Sequence, residues 1–207
     1  MKTRVFNLLI LDESGSMSSI EKQAVDSVNE TLQSVRAAQK KYEDQEHFVS
    51  FVTFNSDGIK TILDRAEAQK AEDITPAQFN PACCTPLYDA IGISVNKLKK
   101  SVVENDKVLV TIITDGYENA SKEYNQASIK ALTEKLGKEV WTFAYIGANQ
   151  DAMAVSHGLG IKNAMNFQAT VCGTVAMSQK LTTSRDRWFD RIADNDACAD
   201  ENFFDNE

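Results

Sequence analysis

The first strand-like segment of the chain constrains its fold more than any other feature. Residues 8–11 form an apolar run (Leu-Leu-Ile-Leu) that is typical of a buried strand, and Asp12, Ser14 and Ser16 follow it. In an open α/β sheet, ligands bind in the crevice beyond the carboxyl ends of the strands. Oxygen donors at that place suit a hard cation such as Mg²⁺ better than a soft one. The segment therefore predicts an α/β sheet with a cation site at its edge.

Strand-like and helical patterns alternate along the rest of the chain, which indicates an α/β fold with a mainly parallel sheet. The turn at residues 55–58 (Asn-Ser-Asp-Gly) predicts a hairpin, so the next strand is expected at an antiparallel edge. We predict a doubly wound, mostly parallel central sheet with one antiparallel edge strand and helices on both faces. The predicted strands are residues 4–11, 47–54, 59–63, 107–114, 140–146 and 161–167. The predicted helices are residues 17–41, 86–98, 129–136, 151–156 and 171–188.

Length and composition exclude several classes of protein. The 207 residues fit one domain, which we place at residues 1–190, and the acidic segment 191–207 is predicted to be a flexible tail. The net charge of −8 argues against sequence-independent nucleic-acid binding, which needs clustered Lys and Arg. No segment approaches the roughly 18 apolar residues of a membrane span. Since the first residues make a poor signal peptide, we expect a cytoplasmic protein with neither nucleic-acid nor membrane partners.

The four cysteines lack the paired spacing of a zinc site. They are Cys83, Cys84, Cys172 and Cys198. In a reducing cytosol they are expected to be free thiols. Redox sensing through the adjacent Cys83 and Cys84 is the alternative interpretation.

Two further oxygen donors stand at the ends of other predicted elements. Thr85 lies just before the helix that Pro86 opens, and Asp115 directly follows the strand at residues 107–114. That strand and the first one are expected to be neighbours, so Asp12, Ser14, Ser16, Thr85 and Asp115 should converge in one crevice. Two carboxylates would balance a divalent charge, and three hydroxyls would fill further coordination positions. Mg²⁺ takes six ligands and usually retains waters, so an incoming carboxylate could complete the shell.

These motifs resemble the metal-ion-dependent adhesion site of the von Willebrand factor A (VWA) domain, and the likeness covers about residues 3–185. The Asp-x-Ser-x-Ser motif of the family is present at residues 12–16, its threonine matches Thr85 and its aspartate matches Asp115. The resemblance implies a Rossmann-like VWA fold of the stand-alone bacterial type, with bound Mg²⁺ or Mn²⁺. It also implies that Ser14, Ser16 and Thr85 contact the metal directly, whereas the two aspartates act largely through bound waters.

One feature departs from the family pattern. A glycine often precedes the threonine in the family, but Cys83 and Cys84 stand there in this chain. This difference leaves the geometry of the loop and its thiol chemistry open. In some members of the family the last helix shifts as the site opens, and residues 171–188 would be that helix here.

Four residues near the site are candidates for a rim that contacts a partner: Glu13, Tyr88, Tyr117 and Glu118. The alternatives are that the two glutamates point into solvent or ligate the metal, and that the two tyrosines pack within loops. Asn119 is interpreted as the residue that begins the following helix.

The chain is predicted to be a metal-dependent protein-interaction module, an adaptor or assembly subunit, and not an enzyme. Its partner would be a protein that presents an Asp or Glu to the metal. One alternative is a metal-assisted hydrolase or phosphatase that uses Asp12. That enzyme would want a second carboxylate two residues later as an acid or base, where this chain has Ser14. A second alternative is a purely structural metal site in a larger assembly.

Overall fold

A six-stranded sheet forms the centre of the computed structural model, which describes residues 2–148, 150–194 and 202–204. The strands lie in the order β3-β2-β1-β4-β5-β6. All neighbouring strands run parallel except the β2–β3 pair, which is antiparallel. The predicted fold class is therefore confirmed, including the antiparallel edge strand. The strands are β1 (Thr3–Asp12), β2 (Gln45–Asn55), β3 (Gly58–Glu67), β4 (Lys107–Thr114), β5 (Trp141–Ala148) and β6 (Asn163–Phe167).

Helices cover both faces of this sheet. They are α1 (Glu21–Lys41), α2 (Leu87–Lys99), α3 (Gln126–Leu136), α4 (Ala152–Gly158) and α5 (Val171–Ala193). Side chains of α1 and α5 share one apolar cluster with Leu9 and Leu11 of β1. Side chains of α2, α3 and α4 share the opposite cluster with Leu8 and Ile10. Because successive residues of a strand face opposite sides, a strand covered on both faces needs an uninterrupted apolar run, as residues 8–11 have.

The boundaries of several elements differ from the prediction, and three of these differences have a visible cause or are large. The helix predicted at residues 17–41 begins as a 3₁₀ turn at Gly15–Ile20, in which Met17 N–H donates to the carbonyl of Ser14 at 3.1 Å. Strand β3 continues to Glu67, four residues beyond its predicted end. Helix α5 continues to Ala193, five residues beyond Trp188. The charges after Trp188 suggested an end there, but Asp190 on α5 accepts a hydrogen bond from Tyr42 at 2.5 Å, which holds the last turns against α1.

Part of the predicted tail belongs to the packed structure. Phe203 and Phe204 are buried, and the backbone N–H of Phe203 donates to Asn163 Oδ1 at 3.0 Å. Residues 195–201 and 205–207 lie outside the described residues, so a flexible tail stays a prediction. Among the described residues, no helix combines the length and the apolar character needed to cross a membrane.

Candidate metal centre

Strand pairing brings the predicted ligands to one edge of the sheet. Leu11 on β1 pairs with Ile113 on β4, so Asp12 ends β1 at the level where Thr114 ends β4. Asp115 directly follows β4. Thr85 is buried in the segment just before α2. The carboxyl ends of two adjacent parallel strands therefore supply both aspartates, as expected at the switch point of such a sheet.

The Asp12 carboxylate is fixed by a hydrogen bond to each of its oxygens. Its Oδ1 accepts the backbone N–H of Ser14 at 2.7 Å. Its Oδ2 accepts the hydroxyl of Thr114 at 2.6 Å. The side chain is fully buried, so water does not compete for these bonds. Asp12 is thus held in one orientation at the floor of the site.

The serine hydroxyls connect the two aspartates. Ser14 Oγ lies 3.2 Å from Ser16 Oγ, and the Ser16 hydroxyl donates to Asp115 Oδ1 at 2.6 Å. Ser14 is buried, whereas Ser16 is exposed. The chain Asp12–Ser14–Ser16–Asp115 therefore leads from the floor of the site to its open side.

The hydroxyl of Thr85 lies close to Gly116, and so does the carboxylate of Asp12. A Cβ atom at position 116 would lie 3.0 Å from Thr85 Oγ1 and 3.6 Å from Asp12 Oδ2. The Gly116 Cα therefore packs against both oxygens, and a side chain there would press on them. Together with the serine contacts, this places all five predicted ligands around one point.

Burial without a counter-charge dominates the electrostatics of the two aspartates. Burial raises the pKa of Asp12, although hydrogen bonds from Thr114 and Ser14 act in the opposite direction. Burial also raises the pKa of Asp115, against the hydrogen bond from Ser16. The ion pairs formed among the described residues include neither aspartate. A divalent cation would supply the missing positive charge, so the donor set fits such an ion.

The candidate site relies on hydroxyls for most of its donors. In the part of the chain that the structure describes, no group of three or more His, Cys, Asp or Glu side chains is arranged to hold a metal. The five-residue set contains only two carboxylates. Its composition matches a hard cation that prefers oxygen ligands and keeps open coordination positions, and not a soft ion held by nitrogen or sulfur.

Sequence reasoning missed the residues that support Thr85. Asn119 Oδ1 accepts the backbone N–H of Thr85 at 2.8 Å, and Asn119 N–H donates to the Thr85 carbonyl at 3.1 Å. These two hydrogen bonds hold the backbone of Thr85 in place. Asn119 was interpreted as the residue that begins the following helix, but that helix begins at Gln126. Asp89 on α2 accepts three backbone N–H groups of residues 122–124, at 2.7–2.9 Å. A carboxylate in the first turn of a helix was the only sequence signal for this anchor.

Glu13 is not a rim residue, and it does not point into solvent. Its side chain is 0% exposed and forms an ion pair with Lys60 on β3 at 3.1 Å. Its other oxygen accepts the backbone N–H of Asn80 at 2.6 Å. These two partners turn the side chain inward toward β3 and the segment that precedes the cysteines. The interpretations of Glu13 as a rim residue and as a solvent-facing residue were therefore wrong.

The other three rim candidates differ in exposure. Tyr117 is 60% exposed beside Asp115 and is free to contact a partner. Tyr88 is half-buried and packs against the apolar cluster under α2. Glu118 is half-buried, and its two oxygens accept the backbone N–H groups of Tyr88, Ala120 and Ser121. Glu118 thus holds the backbone of residues 88, 120 and 121 in place. Its side chain therefore neither points freely into solvent nor faces a ligand.

Several solved structures share this fold. The ArnB paralog VWA2 from Sulfolobus acidocaldarius is 16% identical, with a TM-score of 0.57 over 88% of this chain and 45% of that chain. The vWF domain of the type V pili tip protein Mfa5 from Porphyromonas gingivalis is 10% identical, with a TM-score of 0.58 over 88% of this chain and 96% of that one. The pilus adhesin SpaC from Lactobacillus rhamnosus GG is 13% identical, with a TM-score of 0.65 over 91% and 30% of the two chains.

Sequence comparison adds no relative to these structures. No protein-family model matches the chain, and no curated protein matches it. The chain spans 45% of the VWA2 chain and 62% of the Streptococcus sanguinis minor pilin PilB, which has a TM-score of 0.62. At such low identity the likeness concerns the fold. On its sheet order, its helical layers and these neighbours, the chain has the fold of a von Willebrand factor A domain.

Proposed function

We propose that the chain is a protein-interaction module that binds its partner through a divalent cation, Mg²⁺ or Mn²⁺. The observation that carries this proposal is the convergence of five oxygen donors at the sheet edge, with no basic side chain paired to either aspartate among the described residues. The residues that would hold the ion are Asp12, Ser14, Ser16, Thr85 and Asp115. When bound, the ion would supply an electrophilic centre that attracts an Asp or Glu of the partner.

Each side of the site has its own role in this proposal. Asp12 is buried and doubly hydrogen-bonded, so it positions the ion without having to reorient on binding. Asp115 and Ser16 lie on the open side and bond to each other at 2.6 Å. Tyr117, two residues after Asp115, is exposed and would contact the surface around the partner's carboxylate.

An interaction role fits the structure better than catalysis. General acid–base chemistry most often uses a histidine within reach of the reacting atoms. His47 lies on β2 and is buried, with its ring against Phe189 of α5. His157 is exposed at the end of α4. Two of the similar structures, moreover, are a pilus adhesin and a pili tip protein. We therefore propose that the chain is not an enzyme. Its cytoplasmic location stays a prediction from the sequence.

The first test measures Mn²⁺ and Mg²⁺ binding by calorimetry on the full chain. We expect Asp12→Ala and Thr85→Ala to lose most of the affinity while their circular dichroism stays unchanged. The control is Asp26→Ala, because Asp26 is an exposed aspartate of α1 that pairs only with Lys22 at the surface. If Asp12→Ala binds Mn²⁺ as tightly as the wild type, the metal is not held where we propose.

The second test separates a partner-receiving ion from a purely structural one. Peptides that contain a single Asp or Glu are immobilised, and retention of the chain is compared in Mg²⁺ and in EDTA. The same peptides with Asn or Gln are the control. We expect retention that needs both the ion and the carboxylate. An ion that resists EDTA, together with no peptide retention, would instead indicate a structural site.

A further inference from the structure

Cys83 and Cys84 form an adjacent pair of exposed thiols at the edge of the candidate metal centre. They directly precede Thr85, and the proposed function gives them no role. Cys83 Sγ donates to the carboxylate of Asp57 at 3.5 Å, which places this thiol over the β2–β3 turn. Both thiols are therefore open to small reagents.

The backbone at and just before the cysteine pair is hydrogen-bonded to residues 12–16, which include three of the proposed metal ligands. The backbone N–H of Gly15, between the two ligand serines, donates to the Cys83 carbonyl at 3.1 Å. One residue earlier, Ala82 N–H donates to the Glu13 carbonyl at 2.9 Å. Cys84 exchanges two hydrogen bonds with Ser56, at 3.0 and 3.2 Å. A change in the backbone at residues 83–84 would thus displace both residues 12–16 and Thr85.

Cys83 adopts a backbone conformation that side-chain-bearing residues rarely take. Its φ is +63°, in the left-handed region. Glycine takes this conformation without cost, because it has no Cβ atom. A cysteine there carries strain, so the segment has a reason to rearrange when its covalent structure changes.

We infer that Cys83 and Cys84 are a redox modification site, at which a disulfide-type oxidant closes a ring between the two thiols and thereby weakens cation binding. This inference rests on the proposed metal-binding function. In the first step, one thiolate attacks a sulfur of the oxidant, which releases one thiol and leaves a mixed disulfide. The second thiolate then attacks the attached cysteine sulfur, forms the ring and releases the second thiol. Two electrons pass to the oxidant, and the two protons end on the released thiols.

The geometry of adjacent residues explains why ring closure would move the segment. Disulfides usually join Cα atoms about 4.4–6.8 Å apart. Adjacent Cα atoms across a trans peptide are only about 3.8 Å apart. The ring contains the peptide between Cys83 and Cys84, so closing it must strain or rotate that peptide. The Cys83 carbonyl that accepts the Gly15 N–H belongs to this peptide, so ring closure is expected to disturb that hydrogen bond and the position of Thr85. Since strained disulfides are reduced easily, the modification is reversible.

The test compares the reduced full chain with the chain after incubation with glutathione disulfide. Mass spectrometry of the peptide that contains residues 83–84 should show the loss of two hydrogen atoms and no glutathione. Calorimetry with Mn²⁺ should show a loss of affinity of roughly tenfold or more, the scale on which groups that orient metal ligands act. Dithiothreitol should restore the affinity.

Two variants make the result specific. Cys84→Ser cannot close the ring, so its Mn²⁺ affinity should change little on oxidation relative to its own reduced form. Cys172→Ser removes an exposed thiol of α5 and should respond like the wild type. The inference is overturned if no ring forms, if the ring-bearing chain binds Mn²⁺ as tightly as the reduced chain, or if Cys84→Ser loses as much affinity. Failure of the reduced wild type to bind Mn²⁺ would instead identify the proposed metal function as the error.

Discussion

Arg185 on α5 is expected to destabilise the folded chain, and Arg185→Met to stabilise it. The Arg185 side chain is 0% exposed, and among the described residues its Nε and both terminal nitrogens have no hydrogen-bond partner. Methionine has a similar unbranched stem and no charge, so it can keep the packing of the stem while removing the buried guanidinium.

The magnitude follows from the pKa of the guanidinium. Burial lowers the pKa of Arg185 from 12.5 to about 10. At about 1.4 kcal/mol for each tenfold change in proton affinity, this corresponds to a cost of about 3 kcal/mol. Below pH 10 the group is charged in both the folded and the unfolded chain, so the full cost is present at pH 7. Above pH 10 the folded protein loses the proton, and the cost declines.

Urea denaturation at pH 7 tests this reasoning. Arg185→Met should raise the free energy of unfolding by about 3 kcal/mol, which for a domain of this size raises Tm by roughly 6–12 °C. The control is Lys180→Met, because Lys180 lies on the same helix but is exposed, and its change should stay within about 0.5 kcal/mol. A loss of stability in Arg185→Met would show that the guanidinium has a favourable partner in solution.

Three further predictions concern the site and the sheet. Gly116→Ala should lower Mn²⁺ affinity by roughly tenfold or more in calorimetry, with an unchanged fold, because the new Cβ would lie 3.0 Å from Thr85 Oγ1. Asn119→Ala should cost about 1–3 kcal/mol in urea denaturation and also weaken Mn²⁺ binding, because the buried N–H of Thr85 loses its acceptor. Burial lowers the pKa of His47 to about 4, so the folded chain should lose about 3 kcal/mol as the pH falls from 6.5 to 4. His47→Phe should lose less over that range, and equal losses in the two proteins would contradict the assignment.

The fold could be predicted because its signals are local in the sequence. The apolar run at residues 8–11 and the strand at residues 107–114 have the continuous hydrophobicity of strands covered on both faces, and the structure places them side by side. The Asn-Ser-Asp-Gly turn set the direction of β3 in the same way. Element ends were less accurate, because α5 continues through contacts with Tyr42 that lie far away in the sequence.

The five proposed metal ligands could be predicted for a related reason, but the residues that surround them and fix the local structure could not. Asp12 ends β1 and Asp115 directly follows β4, so topology alone brings them together. Glu13 has the same sequence context as Asp12, but Lys60 and Asn80 turn it inward. Such partners lie tens of residues away, and no spacing rule identifies them. Metal binding by the assembled set stays a prediction.

The asymmetry of the site indicates how a partner's carboxylate would enter. Both oxygens of Asp12 are engaged, and the residue is fully buried, so a partner's carboxylate cannot approach from that side without breaking the contact between β1 and β4. The Ser16 hydroxyl is exposed and donates its proton to Asp115. If Ser16 held a metal ion through an oxygen lone pair, this hydrogen bond could stay in place, and Asp115 would remain oriented while its charge offset that of the ion. We therefore expect the partner to approach between Ser16 and Tyr117, and Tyr117→Ala to weaken partner binding without changing Mn²⁺ affinity.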